Sequence, residues 1–165
     1  MYYQHISTDA VNVFASDLRL HKWIRSLYPA LKVEIIQQGS ALMEGILKYD
    51  DHSSERQFFG YVDRGILHAI VTENRKLLYY NQFAVRKSED YLKYIMTVFK
   101  EIELSPKKSK VIMWGSLRQD SKHINLLKKY IRNISYGGKP AFLNFNHVFD
   151  EIPDHHYFDK NEIEI

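Results

Sequence analysis

The stretch YVDRGILHAIVTENRKLLYYNQF, residues 61–83, alternates apolar runs with two short polar corners. The first corner, Asp63-Arg64-Gly65, ends in glycine, and the second, Asn74-Arg75, begins with asparagine. Both residue types tolerate a positive φ, which tight hairpin turns require. The runs beside the corners are rich in β-branched and aromatic residues, which favour strands. The stretch therefore predicts three antiparallel strands, at about 58–63, 66–73 and 76–85.

Downstream of these strands, the pattern alternates between helix and strand. Ser88 and Glu89 begin an amphipathic helix whose apolar residues recur every three or four positions. The apolar run KVIMWGSL, Lys110–Leu117, predicts a strand that is buried on both faces. A second amphipathic helix follows, with an inward face made of Ile124, Leu127, Ile131 and Ile134. Gly137-Gly138 then turns the chain into a last predicted strand, PAFLNF, residues 140–145.

The first fifty residues predict a strand, a helix, a strand and a helix. The strand pattern at 11–15 leads into a helix that Ser16 or Asp17 can cap and that Pro29 ends. KVEIIQQ, residues 32–38, predicts the second strand, and Gly39-Ser40 opens the second helix. The polar stretch 51–57 has no periodicity and predicts a linker, and the acidic residues 146–165 predict a C-terminal tail.

The amino-acid composition limits the chemistry that the protein can perform and the cellular location that we expect for it. A chain of 165 residues that is 45% hydrophobic and 26% charged is typical of a globular protein. The absence of cysteine from the sequence excludes disulfides, thiol catalysis and thiolate metal sites. No apolar run approaches the ~20 residues that cross a bilayer. Since the N-terminus also lacks the apolar core of a signal peptide, we expect a cytoplasmic protein without membrane insertion.

Two features of the chain resemble known proteins. The predicted order β-β-β-α-β-α-β over residues 58–145 resembles a ribonuclease H-like half-domain, the unit from which the lobes of actin-like (ASKHA) ATPases are built. Residues 77–104 together with the Lys110–Leu117 run resemble an uncharacterised Bacteroidetes family, domain of unknown function 3822, which is similar to the pilus-assembly branch of that superfamily. The matching features are Leu78, Asn81, Phe83, Asp90, Tyr94 and the 111–115 strand.

The resemblance implies an α/β fold with a mixed sheet. It places the ribonuclease H-like second lobe at residues 58–145, after the linker at 51–57. The β-α-β-α segment of residues 1–50 would then be part of an adjoining first lobe, whose opening strands would be absent. The tail at 146–165 would follow the second lobe.

The resemblance also implies where a nucleotide would lie. In nucleotide-using members, the turn between the first two strands of a lobe holds phosphate, and a pair of glycines after the fourth strand contacts the adenosine; this chain has only one glycine there. The matching positions are Asp63, Arg64 and Gly65 at the turn, and Gly115 and Ser116 after the fourth strand. However, Ile66 and Leu67 follow the turn where Gly, Ser or Thr is expected, and Trp114 precedes Gly115. A plain hairpin corner is therefore the favoured interpretation of Asp63-Arg64-Gly65.

Three functions are compatible with these patterns. The leading hypothesis is a non-catalytic interaction or scaffold protein with a degenerate nucleotide cleft and no cofactor, which binds a protein partner or itself through an exposed strand edge. The second is a protein that binds ATP and Mg²⁺ through the Asp63-Arg64-Gly65 turn. Nuclease activity is disfavoured, because the 111–117 run has no acidic residue that could bind a second metal ion.

The third hypothesis is RNA contact through a basic face. Eight Lys or Arg residues lie between positions 107 and 132, against the single acid Asp120. The face comprises Lys107, Lys108, Lys110, Lys128, Lys129 and Arg132. A solvated surface that balances the acidic tail is the simpler interpretation, because Trp114 and Tyr130 are expected at core or boundary positions rather than among the charges.

Histidines offer no designed metal site. His155 and His156, near Asp154 and Asp159, are expected to be solvated tail residues, since neighbouring side chains of an extended chain point in opposite directions. His68 is expected to be a hydrogen-bonded residue of the second strand rather than a catalytic base.

Overall fold

The computed structural model describes residues 1–50, 54–117 and 121–140. Within them, the chain forms a two-stranded hairpin, a five-stranded mixed sheet and four helices. No helix in these ranges is long and apolar enough to cross a membrane. The elements are β1 (Tyr2–Gln4), β2 (Val11–Val13), α1 (Leu18–Leu27), α2 (Gln38–Tyr49), β3 (Gln57–Asp63), β4 (Ile66–Glu73), β5 (Lys76–Ala84), α3 (Ser88–Glu101), β6 (Val111–Gly115), α4 (Lys122–Lys128) and β7 (Ile134–Tyr136).

The five-stranded sheet has the strand order β5-β4-β3-β6-β7. β3 pairs antiparallel with β4 and parallel with β6, and β6 pairs parallel with β7. The two hairpin corners place Arg64, Gly65, Asn74 and Arg75 at φ values of 45°, 76°, 52° and 58°. Two consecutive positive φ values are what a two-residue type I′ turn needs. The predicted fold class, the three strands and both corners are confirmed.

One face of the sheet is covered by α3 and α4. The predicted apolar stripe of α3 is buried here: Tyr91, Ile95, Val98 and Phe99. Ile124 and Leu127 of α4 complete this side of the core. The helices also make the crossovers to β6 and β7, as parallel strands require.

The other face is covered by α2. Leu42, Met43 and Ile46 pack against a layer of the sheet formed by Phe59, Tyr61, Ile70, Ile112 and Trp114. Because helices cover both faces, every residue of β6 is buried. The predicted doubly buried strand is therefore confirmed.

The N-terminal strand prediction was partly wrong. β2 forms as expected, but residues 32–37 form no strand and Gln38 already begins α2. The partner of β2 is β1, which the sequence pattern did not indicate; Tyr2 lies opposite Val13. A hairpin between neighbouring segments closes a short loop, so it costs less chain entropy than pairing β2 with a strand beyond α1.

The C-terminal part of the prediction also needs correction. α4 ends at Lys128, and Ile134, predicted on the inward face of that helix, begins β7 and lies opposite Val111. The last strand of the predicted β-β-β-α-β-α-β order is therefore Ile134–Tyr136, which precedes Gly137 and Gly138. Pro140 is not in a strand, and residues 141–145 lie outside the described part of the chain, as do the 146–165 tail with its histidines and residues 51–53 of the predicted linker.

A matched pair of leucine substitutions tests this packing. Leu42→Ala should lower the free energy of unfolding by about 2–5 kcal/mol, because Leu42 is buried between α2 and the sheet. Leu27→Ala makes the same chemical change on the exposed side of α1 and should change it by less than about 0.5 kcal/mol. Urea unfolding of both variants measures the difference; equal losses would contradict the assigned burial.

Candidate functional site

The structure gathers the predicted nucleotide residues at one end of the sheet. Asp63 ends β3 and Gly115 ends β6, with Val62 opposite Gly115 in the parallel register. Ser116 donates its backbone N–H to the Val62 carbonyl at 2.8 Å. Gln38, at the start of α2, places its Nε2 3.5 Å from Asp63 Oδ2. All these groups lie at the carboxyl ends of parallel strands, where α/β sheets commonly bind ligands.

The Asp63-Arg64-Gly65 turn has the contacts of a hairpin corner. Arg64 Nε donates to the carboxylate of Asp63 at 2.9 Å, so the acid is paired with its own neighbour. The Gly65 carbonyl accepts the backbone N–H of Val85 at 2.8 Å, which ties the corner to the end of β5. Gly65 also has the positive φ that the turn requires.

Gly115 is required by close backbone packing. Its φ is 92°, and a Cβ at this position would overlap the backbone of Val62. A larger residue would therefore push β6 away from β3. This contact explains the glycine without reference to a ligand.

Trp114 fills the space beside this strand end. It is fully buried, stacks on Phe59 at 6.0 Å between ring centroids and meets Tyr49 edge-on at 4.9 Å. Gly137 packs against the indole so closely that a Cβ at this position would overlap the ring. The indole Nε1 donates a hydrogen bond to the Gly138 carbonyl at 3.3 Å. The prediction that Trp114 is a core residue is confirmed.

The residues that follow the turn are apolar and mostly buried. Leu67 is buried in the core beneath α3, and Ile66 is partly exposed. His68 is buried on the opposite face of β4, with its Nδ1 3.1 Å from the Tyr80 hydroxyl. This contact agrees with the expected role of His68 as a hydrogen-bonded sheet residue.

The predicted basic residues lie at the other end of the sheet. Lys107 and Lys108 precede β6, and Arg132 precedes β7. The sequence interpretation of Tyr130 was wrong: its side chain is 57% exposed rather than at a core or boundary position. The short α4 explains the difference, because the helical spacing that would have turned this residue inward stops at Lys128.

A small cavity of about 130 Å³ opens at the same end of the sheet. It is lined by Lys110, Asp50 and Gln57, together with Tyr49, Phe59 and Ile112. Asp50 is buried and accepts hydrogen bonds from Thr72 Oγ1 at 2.7 Å and from the backbone N–H of Arg75 at 3.1 Å. These bonds give Asp50 a structural role at the corner between β4 and β5.

Comparison with known proteins identifies the family. The profile of the family described as "Protein of unknown function (DUF3822)" matches residues 1–134. This chain belongs to that family. No curated protein matches it.

A solved structure shares the fold of this DUF3822 chain. It is a Bacteroides thetaiotaomicron protein described as having an actin-like ATPase fold and unknown function, with a TM-score of 0.74 and 21% sequence identity. The match covers 83% of this chain and 52% of that chain, so the DUF3822 chain spans about half the length of its neighbour. At this identity the likeness shows the fold alone, and the predicted resemblance is confirmed at that level.

Sequence reasoning missed a buried charged cluster in the N-terminal part of this DUF3822 chain. Glu44 lies on α2, and its carboxylate receives the backbone N–H of Ile6 at 2.8 Å and the Ser7 hydroxyl at 2.6 Å. His5 Nδ1 lies 3.1 Å from the same carboxylate. The partners are 37 to 39 residues apart in the chain, so no local pattern could have connected them.

The protonation of Glu44 follows from these contacts. Burial raises the pKa of Glu44, but the hydrogen bonds from Ser7, Ile6 and His5 together hold it below the ordinary value. The ionised carboxylate therefore stabilises the folded state. A depressed pKa means that this contribution is present above the unfolded pKa and is lost as the pH falls through the folded pKa.

Glu44→Gln tests the cluster. At pH 7 the variant should lose about 1–3 kcal/mol of unfolding free energy, because a buried charge-assisted network is broken. The difference from the parent should shrink as the pH falls from 4.5, the ordinary pKa, through the lower pKa of folded Glu44, below which the residue is neutral in both the folded and the unfolded protein. Glu34→Gln, on an exposed position, is the control. A pH-independent difference in urea unfolding would contradict the assignment.

Proposed function

We propose that this protein is a non-catalytic interaction protein of the actin-like fold, which binds another protein through apolar side chains of its N-terminal part. The observation that carries the proposal is α1, a helix of 10 residues with no buried residue. Its Leu20, Trp23 and Leu27 form one stripe and are 49%, 59% and 52% exposed.

An uncovered amphipathic helix of this length needs a partner. Isolated helices shorter than ~12–15 residues are marginal in water, and most helical stability in proteins comes from packing of the apolar face. The capping bond from Arg19 N–H to the Asp17 carboxylate, at 2.8 Å, stabilises only the first turn. We infer that the apolar stripe of α1 is packed when the protein is in its functional complex.

Further exposed apolar residues precede and follow α1 in the sequence. Together with those of α1 they form what we call the N-terminal apolar set, which comprises Tyr2, Val11, Val13, Leu18, Leu20, Trp23, Leu27 and Leu31. Tyr2 and Val13 lie opposite each other in the β1–β2 pair, so their exposed side chains are neighbours, and large exposed apolar patches are typical of protein–protein interaction sites.

The charges around the set indicate the chemistry of the partner. α1 carries Arg19, which forms an ion pair with the N-cap residue Asp17 at 3.1 Å, and Lys22 and Arg25, which form no ion pair with another described residue. An α1–α1 contact between two copies would bring these cations together, which disfavours self-association through this helix. The surface therefore fits a different protein, whose apolar groove is bordered by carboxylates.

The absence of catalysis is proposed from the contacts around the predicted nucleotide turn. Trp114 occupies the space beside the β6 end, and Asp63 is paired with Arg64. A nucleotide would have to displace packed apolar groups and an ion pair before it reached the turn. A degenerate cleft is the simplest account of these contacts.

Photocrosslinking tests the interaction surface. A photoreactive residue in place of Trp23, in the full chain expressed in its native cells, should give one discrete adduct with an acidic protein. The adduct should disappear when Arg19 and Arg25 are both changed to Glu. The same photoreactive residue at Thr97, which is exposed on α3, is the control and should give no such adduct.

Two outcomes would overturn the proposed surface. An adduct with twice the mass of this chain would mean self-association, and no adduct at position 23 would mean that α1 is not an interface. Once the partner has been identified and purified, Trp23→Ser should weaken the binding of that partner by roughly 30-fold or more, which is the loss expected of an aromatic hot spot.

Nucleotide binding is the second candidate, because Asp63, Gly65 and Gly115 converge at one strand end. A thermal-shift titration separates the two candidates. We expect no change in Tm at millimolar ATP with Mg²⁺, whereas a site filled at 100 times its Kd would stabilise the protein by about 2.7 kcal/mol. A rise in Tm that Asp63→Asn abolishes would contradict the degenerate cleft.

A further inference from the structure

We propose that the two loops preceding β6 and β7 bind single-stranded nucleic acid, with Tyr130 as the stacking platform. This basic loop surface comprises Lys107, Lys108, Lys128, Lys129, Tyr130 and Arg132. It lies at the amino ends of the parallel strands, away from the Asp63 turn. The inference is independent of the partner proposed for α1.

The charge of the surface is uniform. All five cations are exposed, and none of them forms an ion pair with another described residue. Between positions 104 and 140 the sequence has one acidic residue, Asp120, which lies outside the described ranges. Clustered lysine and arginine without compensating acids attract a polyanion.

One backbone and one side-chain hydrogen bond hold the two loops together. Arg132 donates its N–H to the Pro106 carbonyl at 2.9 Å, and Asn133 Nδ2 donates to the Lys108 carbonyl at 2.9 Å. Ile131 is buried in the core and anchors the second loop. The loop segments that carry the cations are therefore held together before any ligand arrives, which reduces the entropy lost on binding.

Tyr130 distinguishes a nucleic acid from other polyanions. Its ring is more than half exposed, and its backbone is fixed by the hydrogen bond from its N–H to the Leu127 carbonyl at 3.0 Å. It is flanked in sequence by Lys129 and, after buried Ile131, by Arg132. Exposed aromatic rings among cations form the stacking platforms of single-strand binding proteins. An acidic polypeptide would use the charges and leave the ring without a function.

Fluorescence anisotropy of the full chain tests the proposal. The probes are labelled oligouridine RNA and oligothymidine DNA, with a duplex of the same length for comparison. Single strands should bind more tightly than the duplex, and the logarithm of the binding constant should fall with the logarithm of salt concentration by about 0.7 per phosphate contacted. Comparison of the RNA and DNA probes shows whether the sugar is distinguished.

Variants separate stacking from charge. Tyr130→Ala should weaken binding by about 5- to 150-fold without changing the salt slope, whereas Tyr130→Phe should retain binding, because the ring remains. Replacing both Lys128 and Lys129 with Ser should reduce the salt slope by about 1.4. Tyr28→Ala, at an exposed tyrosine after α1, is the matched control and should bind as the parent does.

Three results would overturn the inference. The first is no binding of either single strand at low salt. The second is equal affinity of the parent and Tyr130→Ala. The third is displacement of the probe by poly-glutamate as effectively as by unlabelled oligonucleotide, which would indicate an acidic polypeptide as the ligand.

Discussion

Parallel pairing of β3 with β6 at the middle of the sheet imposes the main constraint on this protein. A parallel pair needs crossover connections and cover on both faces. α3 and α4 supply both the crossovers and one cover, and α2 supplies the other. The helix that precedes β3 in the chain is therefore as necessary to the sheet as the helices that follow it. The Glu44 cluster then attaches the N-terminal hairpin to that same helix.

The same constraint shapes the end of the sheet that holds Asp63 and Gly115, where the sequence resemblance predicted a nucleotide. Close approach of β6 to β3 requires a glycine at position 115, and the face beside it is filled by the Trp114 indole. The indole is in turn covered by Gly137 and packed against Phe59 and Tyr49. Gly115 and Gly137 thus each have a packing reason. The presence of glycines at a strand end is consequently weak evidence for phosphate or adenosine binding here.

The sequence predicted those features that depend on near neighbours in the chain. The β3–β4 and β4–β5 hairpins follow from turn residues, and α3 follows from its apolar period. The β1–β2 pairing and the Glu44 cluster depend on contacts across many residues, and no local pattern indicates them. The spacing of Ile131 and Ile134 fits a helix and a loop-strand segment equally well, so the end of α4 could not be placed. That error also concealed the exposure of Tyr130, the residue on which the nucleic-acid inference depends.

The two proposed surfaces differ in how firmly they are anchored to the rest of the fold, and this difference affects how each can bind its ligand. The basic loop surface is bonded to the strand ends and anchored by Ile131, so it can bind a ligand with little reordering. α1 has no buried side chain, and its partner must therefore stabilise the helix as well as contact it. Part of the interaction free energy at α1 is then used to order the chain, which lowers affinity and makes binding sensitive to small changes in helix stability. The rigid basic loop surface could therefore keep its nucleic-acid ligand bound. At the same time, the protein partner of α1, which binds less tightly, could exchange.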